Sequence, residues 1–147
     1  MLYLKNMDIN KLIPELKKIF SQDERIVSAY LFGSYAKGDF HKRSDIDLAI
    51  MLDSKENEEF SLDNYLDLEI KITLAIKIEN FDLVIINQAP LVLQFRIISE
   101  GRLIYIFDDN IRSDLEARIM LSYYDFQPRL KEFNKEYFEA LEERYLK

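Results

Sequence analysis

Cysteine is absent from this 147-residue chain, which excludes disulfide frameworks, thiol nucleophiles and zinc-thiolate sites. Only one histidine is present, His41, so no site can use two, and a Ser-His-Asp triad could draw on that residue alone. Glycine and proline number three each, so each one punctuates the chain informatively. Apolar runs such as Leu83 to Ile86 are far too short to cross a bilayer. The first residues, Met1-Leu2-Tyr3-Leu4-Lys5-Asn6, lack the basic start and long apolar stretch of a signal peptide, so a cytoplasmic protein without membrane association is expected. Positive charge is in deficit, with 20 basic against 27 acidic residues and a net charge of −7. A broad phosphate-neutralising face, and hence direct nucleic-acid binding, is not expected.

What remains is a soluble, single-domain composition: 48% hydrophobic and 32% charged residues, enough to build one core. Asp8 to Phe20 places Ile9, Leu12, Ile13, Leu16, Ile19 and Phe20 at helical spacing, with Pro14 best accommodated near a helix start. Ile26 to Phe32 reads as a strand closed by Gly33-Ser34, and Tyr35 to Lys37 as a short helical turn. Ser44 to Met51 reads as a second strand, followed by a charged, loop-like stretch from Asp53 to Glu59. A helix over Leu62 to Ile78, a buried strand over Phe81 to Ile86, a helix over Leu91 to Glu100 and a strand over Leu103 to Phe107 follow. From Ile111 the chain is helical, interrupted or bent around Pro128. The order predicts an α/β (α+β) fold: a small mixed sheet of about four strands with flanking helices. Residues 1–110 form the core, and 111–147 a C-terminal helical extension of the same domain.

Chemistry concentrates in Gly33 to Leu48. Asp45 and Asp47 are two apart in a strand and share one face, while Ile46 and Leu48 face the core. Carboxylates roughly 6–7 Å apart repel by roughly 2–3 kcal/mol at an effective dielectric near 20. Aspartate is also a poor strand former. A hard divalent cation such as Mg²⁺ reverses the sign of that repulsion. Gly33-Ser34 sits where a strand turns toward a helical turn, a geometry that offers backbone N–H groups to an anion, and glycine allows close approach. Asp82, near the start of the third strand, could join the pair if its strand lies beside theirs. Lys37, His41, Lys42 and Arg43 form a basic cluster between turn and carboxylates, suited to steering a triphosphate or simply to solvation. The bland counterpart of the whole stretch is a tight turn followed by an exposed edge strand.

The segment Tyr30-Leu31-Phe32-Gly33-Ser34-Tyr35-Ala36-Lys37-Gly38, followed by Ser44-Asp45-Ile46-Asp47-Leu48-Ala49, resembles the DNA polymerase β-type nucleotidyltransferase superfamily. Within it, the chain is similar to the minimal nucleotidyltransferases, the MntA-type antitoxins paired with HEPN-domain ribonuclease toxins. Tyr124-Asp125-Phe126-Gln127-Pro128 and the Leu91 to Tyr105 segment look like that group as well. The resemblance implies that Gly33 and Ser34 hold ATP phosphates, with Lys37 and Arg43 as candidate cofactor-binding neighbours. It implies that Asp45, Asp47 and Asp82 are catalytic and ligate two Mg²⁺ ions. It also implies transfer of AMP to a tyrosine of a cognate HEPN toxin in a hetero-oligomer.

The extension carries Leu115, Ile119, Leu121, Tyr124, Phe126, Leu130, Phe133, Tyr137, Phe138 and Leu141, more apolar surface than one small sheet needs. A partner chain is therefore expected there. The tyrosines Tyr123, Tyr124, Tyr137 and Tyr145 read as packing surface rather than as modification sites. Two other functions stay open at this point: an antitoxin that only binds and keeps a vestigial site, and a nucleotidyltransferase acting on a small molecule.

Overall fold

The computed structural model describes residues 9–33, 46–78, 80–132, 139–140 and 142–144. In chain order these form α1 (Ile9–Phe20), β1 (Ile26–Phe32), β2 (Ile46–Leu52), α2 (Ser54–Glu59), α3 (Leu62–Ile76) and β3 (Phe81–Ile85). A 3₁₀ turn (Ile86–Gln88), α4 (Leu91–Glu100), β4 (Arg102–Ile106) and α5 (Asp109–Glu132) follow. The four strands make one mixed sheet in the order β3-β2-β1-β4. β1 is antiparallel to both β2 and β4, whereas β2 and β3 run parallel. A parallel neighbour requires a crossover, and the α2–α3 segment supplies it.

Alternation along the strands divides the core between the two faces of the sheet. Ile46, Leu48 and Ile50 of β2 join Leu12, Leu16 and Phe20 of α1 and Leu68, Ile72 and Ile76 of α3. Ala49 and Met51 of β2 point the other way, joining Tyr30, Phe32, Leu93 and Ile97, with Ile111, Leu115 and Ile119 of α5 packed on top. A strand covered on both faces reads as a continuous apolar run. β2 is such a strand: every residue from Ile46 to Leu52 is buried except Asp47.

Four local expectations are corrected. β3 is an edge strand with Asp82 exposed, not a buried one, because it borders β2 alone. The stretch after β2 contains helix α2; the Asp53 side chain accepts from the Lys55 N–H, and α2 buries no residue, so no apolar periodicity announces it. Pro14 lies within α1 rather than at its start. It removes one intrahelical bond, but the burial of Leu12, Ile13 and Leu16 on either side holds the turn. α5 continues through Pro128 without interruption.

Polar groups fix how the layers meet. Ser61 and Asn64 form a reciprocal capping box that starts α3. The buried Ser28 hydroxyl donates to the Tyr30 hydroxyl at 3.2 Å, which in turn donates to Glu116 of α5 at 2.8 Å. Burial, together with the neighbouring Glu116 carboxylate, pushes the Tyr30 phenol well above its usual range and keeps it protonated as a donor. Phe95 stacks on Tyr123 at 3.9 Å, a packing role for that tyrosine. Leu121 and Tyr124 of α5 are exposed, as are Leu62, Leu66, Ile70 and Leu74 along one side of α3.

Asn87 closes the end of β2: its side chain accepts from the Leu52 N–H at 2.8 Å and donates to the Leu52 carbonyl at 2.7 Å. Leu52 is fully buried, so Asn87→Ala leaves two backbone groups without these partners. The expected loss is about 2–4 kcal/mol, read as a lower urea midpoint with an unchanged slope.

Candidate active site

The site lies where β1 ends and β2 and β3 run side by side. Phe32, the last residue of β1, pairs with Asp47 of β2, and Asp47 pairs with Asp82 of β3 in the parallel ladder. Directly opposed residues in adjacent strands point to the same face of the sheet. Asp47 therefore shares a face with Ala49 and Met51, toward α4 and α5, and Asp82 with Val84. The expected adjacency of the third strand to the second is present, and β2 is central rather than an exposed edge.

Gly33 follows directly, with φ of +71°, a conformation that side chains disfavour. A Cβ atom built there would run into the Asp47 carboxylate. Glycine at this position thus does two things. It lets the chain leave β1 sharply, and it makes room for the Asp47 carboxylate, which sits where a side chain at residue 33 would be.

Asp47 and Asp82 open into a cleft of about 270 Å³. Tyr65 and Glu69, one turn apart on α3, line another wall, and Arg144 reaches it from the C-terminal residues. The Tyr65 hydroxyl donates to the Leu83 carbonyl at 2.7 Å. Burial raises the Tyr65 pKa, and Glu69 and Asp82 raise it further, so the phenol stays neutral beside the acids. A wider apolar cleft of about 550 Å³ adjoins this one, sharing Tyr65, Leu83, Val84 and Leu93 with it.

Two carboxylates about 5 Å apart repel by about 3 kcal/mol at an effective dielectric near 20. A divalent cation held between them converts that cost into binding energy, and oxygen donors on neighbouring strands suit Mg²⁺. The acidic pair beside the glycine turn fits a metal ion and the phosphates it would bring. Among the described residues no group of three acid, histidine or cysteine side chains gathers at one point. Asp45, Ser34, Lys37, His41, Lys42 and Arg43 lie outside the described residues, as do Phe133, Tyr137, Phe138, Leu141 and Tyr145.

Tyr65, Glu69 and Arg144 were not singled out by sequence reasoning. Tyr65 reads there as one more apolar position of an amphipathic helix, and Arg144 is separated from Asp47 by nearly the whole chain. Gly33→Ala tests the geometry. Strain at positive φ and the collision with Asp47 should lower stability by about 1–3 kcal/mol in thermal unfolding. Asp47→Ala in the same background should recover part of that loss, because the obstructing carboxylate is gone.

Residues 14–110 match the family model "Polymerase beta, Nucleotidyltransferase". Protein adenylyltransferase MntA of Shewanella oneidensis is 31% identical over 100 residues, 67% of this chain and 66% of that protein. The chain spans 59 to 66% of the length of the relatives it matches. A crystal structure of a toxin–antitoxin with AMP-PNP superimposes with a TM-score of 0.64 at 24% identity, covering 81% of this chain and 92% of the other. The complex of tri-AMPylated Shewanella oneidensis HEPN toxin with MNT antitoxin superimposes at 0.59, with 21% identity over 83% of this chain and 92% of the other. At these identities the superpositions speak to fold. The family match takes in the Gly33 turn and both aspartate-bearing strands, and by it the chain belongs to the polymerase beta nucleotidyltransferase family, with a protein adenylyltransferase among its relatives.

Proposed function

We propose that this chain is an Mg²⁺-dependent protein adenylyltransferase that moves AMP from ATP to a tyrosine hydroxyl of a cognate HEPN ribonuclease toxin and thereby neutralises it. The observation that carries this reading is the placement of Asp47 directly opposite Asp82 on parallel neighbours, beside a glycine whose missing side chain makes room for the Asp47 carboxylate. The adenylyltransferase relative and the fold likeness to an antitoxin bound to an AMPylated toxin support a protein acceptor.

In this reading Asp45, Asp47 and Asp82 hold two Mg²⁺ ions. Gly33 and Ser34 cradle the outer phosphates of ATP, and Lys37 and Arg43 draw the triphosphate in. When bound, the metal supplies neutralising charge for the oxygens of the reacting phosphate. Asp82, the more exposed of the described pair, accepts the proton of the acceptor hydroxyl. The hydroxyl oxygen forms a bond to the α-phosphorus, the bond from that phosphorus to the bridging oxygen breaks, and pyrophosphate leaves with the electron pair. Tyr65 stays neutral in the wall and holds the Leu83 carbonyl, which keeps β3 in register with α3.

The C-terminal residues 111–147 serve as the partner-binding part of the same domain. Exposed Leu121 and Tyr124 on α5 support that role. AMP added to a toxin tyrosine places bulk and negative charge where RNA would bind, a physical route to inhibition. No helix among the described residues is long and apolar enough to cross a membrane, and dependence on ATP fits a cytoplasmic setting.

The test incubates the chain with a candidate cognate HEPN protein, Mg²⁺ and ATP labelled at the α-phosphate. Label should appear on the toxin and vanish with chelator; a folded chain that transfers none defeats the proposal. Asp47→Asn and Asp82→Asn should each lower transfer by at least about a hundredfold. Asp82→Asn should leave the melting temperature unchanged, because the side chain is exposed on an edge strand. Toxin neutralisation that survives both substitutions would identify an antitoxin acting by binding alone.

A further inference from the structure

The acidic cleft contains one feature the nucleotidyltransferase reading has not used. Its described walls carry three carboxylates, Asp47, Glu69 and Asp82, and a single cationic side chain, Arg144. That arginine comes from the opposite end of the sequence. Two residues before it, Glu142 accepts a hydrogen bond from Arg96 of α4 at 2.9 Å. Arg96 is braced in turn by Glu100, one helical turn on, at 3.1 Å. Leu93, also on α4, lines the same cleft. The tether and the cleft wall therefore belong to one rigid helix, and Arg144 is delivered to the acids by a fixed point rather than by chance.

We propose that Arg144 is a nucleotide-binding residue, whose guanidinium contacts the polyphosphate of the bound nucleotide, with the Arg96–Glu142 ion pair as its positioning device. This inference rests on the reading of the cleft as the nucleotide site. The charge balance favours it. A triphosphate entering a wall of three carboxylates needs fixed positive charge besides any metal, and among the described cleft residues only Arg144 offers it. Arginine stays protonated at every relevant pH, and its planar fork fits two phosphate oxygens at once. The side chain is exposed, so it can shift from the carboxylates toward an arriving phosphate without leaving a core position. Nucleotide binding would thus engage the C-terminal residues directly, and the same residues that meet a partner chain would sense whether the cleft is filled.

The experiment measures binding to the full-length chain with Mg²⁺ present, using a fluorescent non-hydrolysable ATP analogue, inorganic tripolyphosphate and adenosine as three separate probes. Arg144→Ala should weaken the analogue and tripolyphosphate by about tenfold and leave adenosine unchanged. Arg144→Lys should recover part of the loss, since it keeps the charge but not the fork. Glu142→Gln should weaken both phosphate probes by about threefold through the loosened tether. In transfer assays, KM for ATP should rise in Arg144→Ala with kcat changed much less. Wild-type affinity in Arg144→Ala would overturn the inference. So would tighter binding, which would make Arg144 a plug over the acids, or an equal loss for adenosine, which would make its role structural. If the wild-type chain binds the phosphate probes through Arg144 but labels no toxin, the adenylyltransferase reading fails while this assignment stands.

Discussion

One juxtaposition organises the site: two aspartates stand directly opposite one another on neighbouring parallel strands, at the only polar position of an otherwise buried central strand. Left to packing alone, that position would be apolar like its neighbours Ile46 and Leu48, and a carboxylate there costs stability. The cost is sustained because the rest of the domain is built around it. Both faces of β2 are covered by helices, which fixes its register, and a fixed register is what holds Asp47 against Asp82.

The sheet topology follows from the same requirement. An antiparallel hairpin after β2 would bring back the next strand with a short turn, and the chemistry of the connection would be different. The parallel β2–β3 pair instead demands a long crossover, and α3, which provides it, also brings Tyr65 and Glu69 to the cleft wall. A single topological choice thus sets the acids side by side and brings two α3 side chains to the same cleft. The polar link from Ser28 and Tyr30 of β1 to Glu116 anchors α5 to the strand whose end carries Gly33.

Gly33 was legible in advance as the abrupt end of β1; its positive φ and the Asp47 carboxylate in the place of its absent Cβ show why no side chain is carried there. The helices with regular apolar spacing, α1 and α4, were also legible, as was a mixed sheet of four strands. Helix α2 was not, because it buries nothing and its residues carry charge rather than periodicity. The edge position of β3 was not, because Leu83, Val84 and Ile85 have the composition of a buried strand whichever neighbours they have. Pro14 was expected near a helix start and Pro128 at an interruption or bend, yet each lies inside a continuous helix, where neighbouring packing and helix continuity outweigh one missing bond.

The sequence by itself determined the residue types available for chemistry. It left no thiols, no histidine pair and few basic residues against the acidic ones, and it offered a glycine turn, two aspartates two residues apart and a further aspartate in a later apolar run. Local propensity and side-chain alternation suffice for that, because they act over a few residues. Only the tertiary structure decided that Asp82 would stand opposite Asp47 rather than one register step away. It alone brought Tyr65, Glu69 and Arg144 into the same cleft. Those juxtapositions are set by strand order, crossover and the Arg96–Glu142 tether, which join residues far apart in the chain and leave no local trace in it.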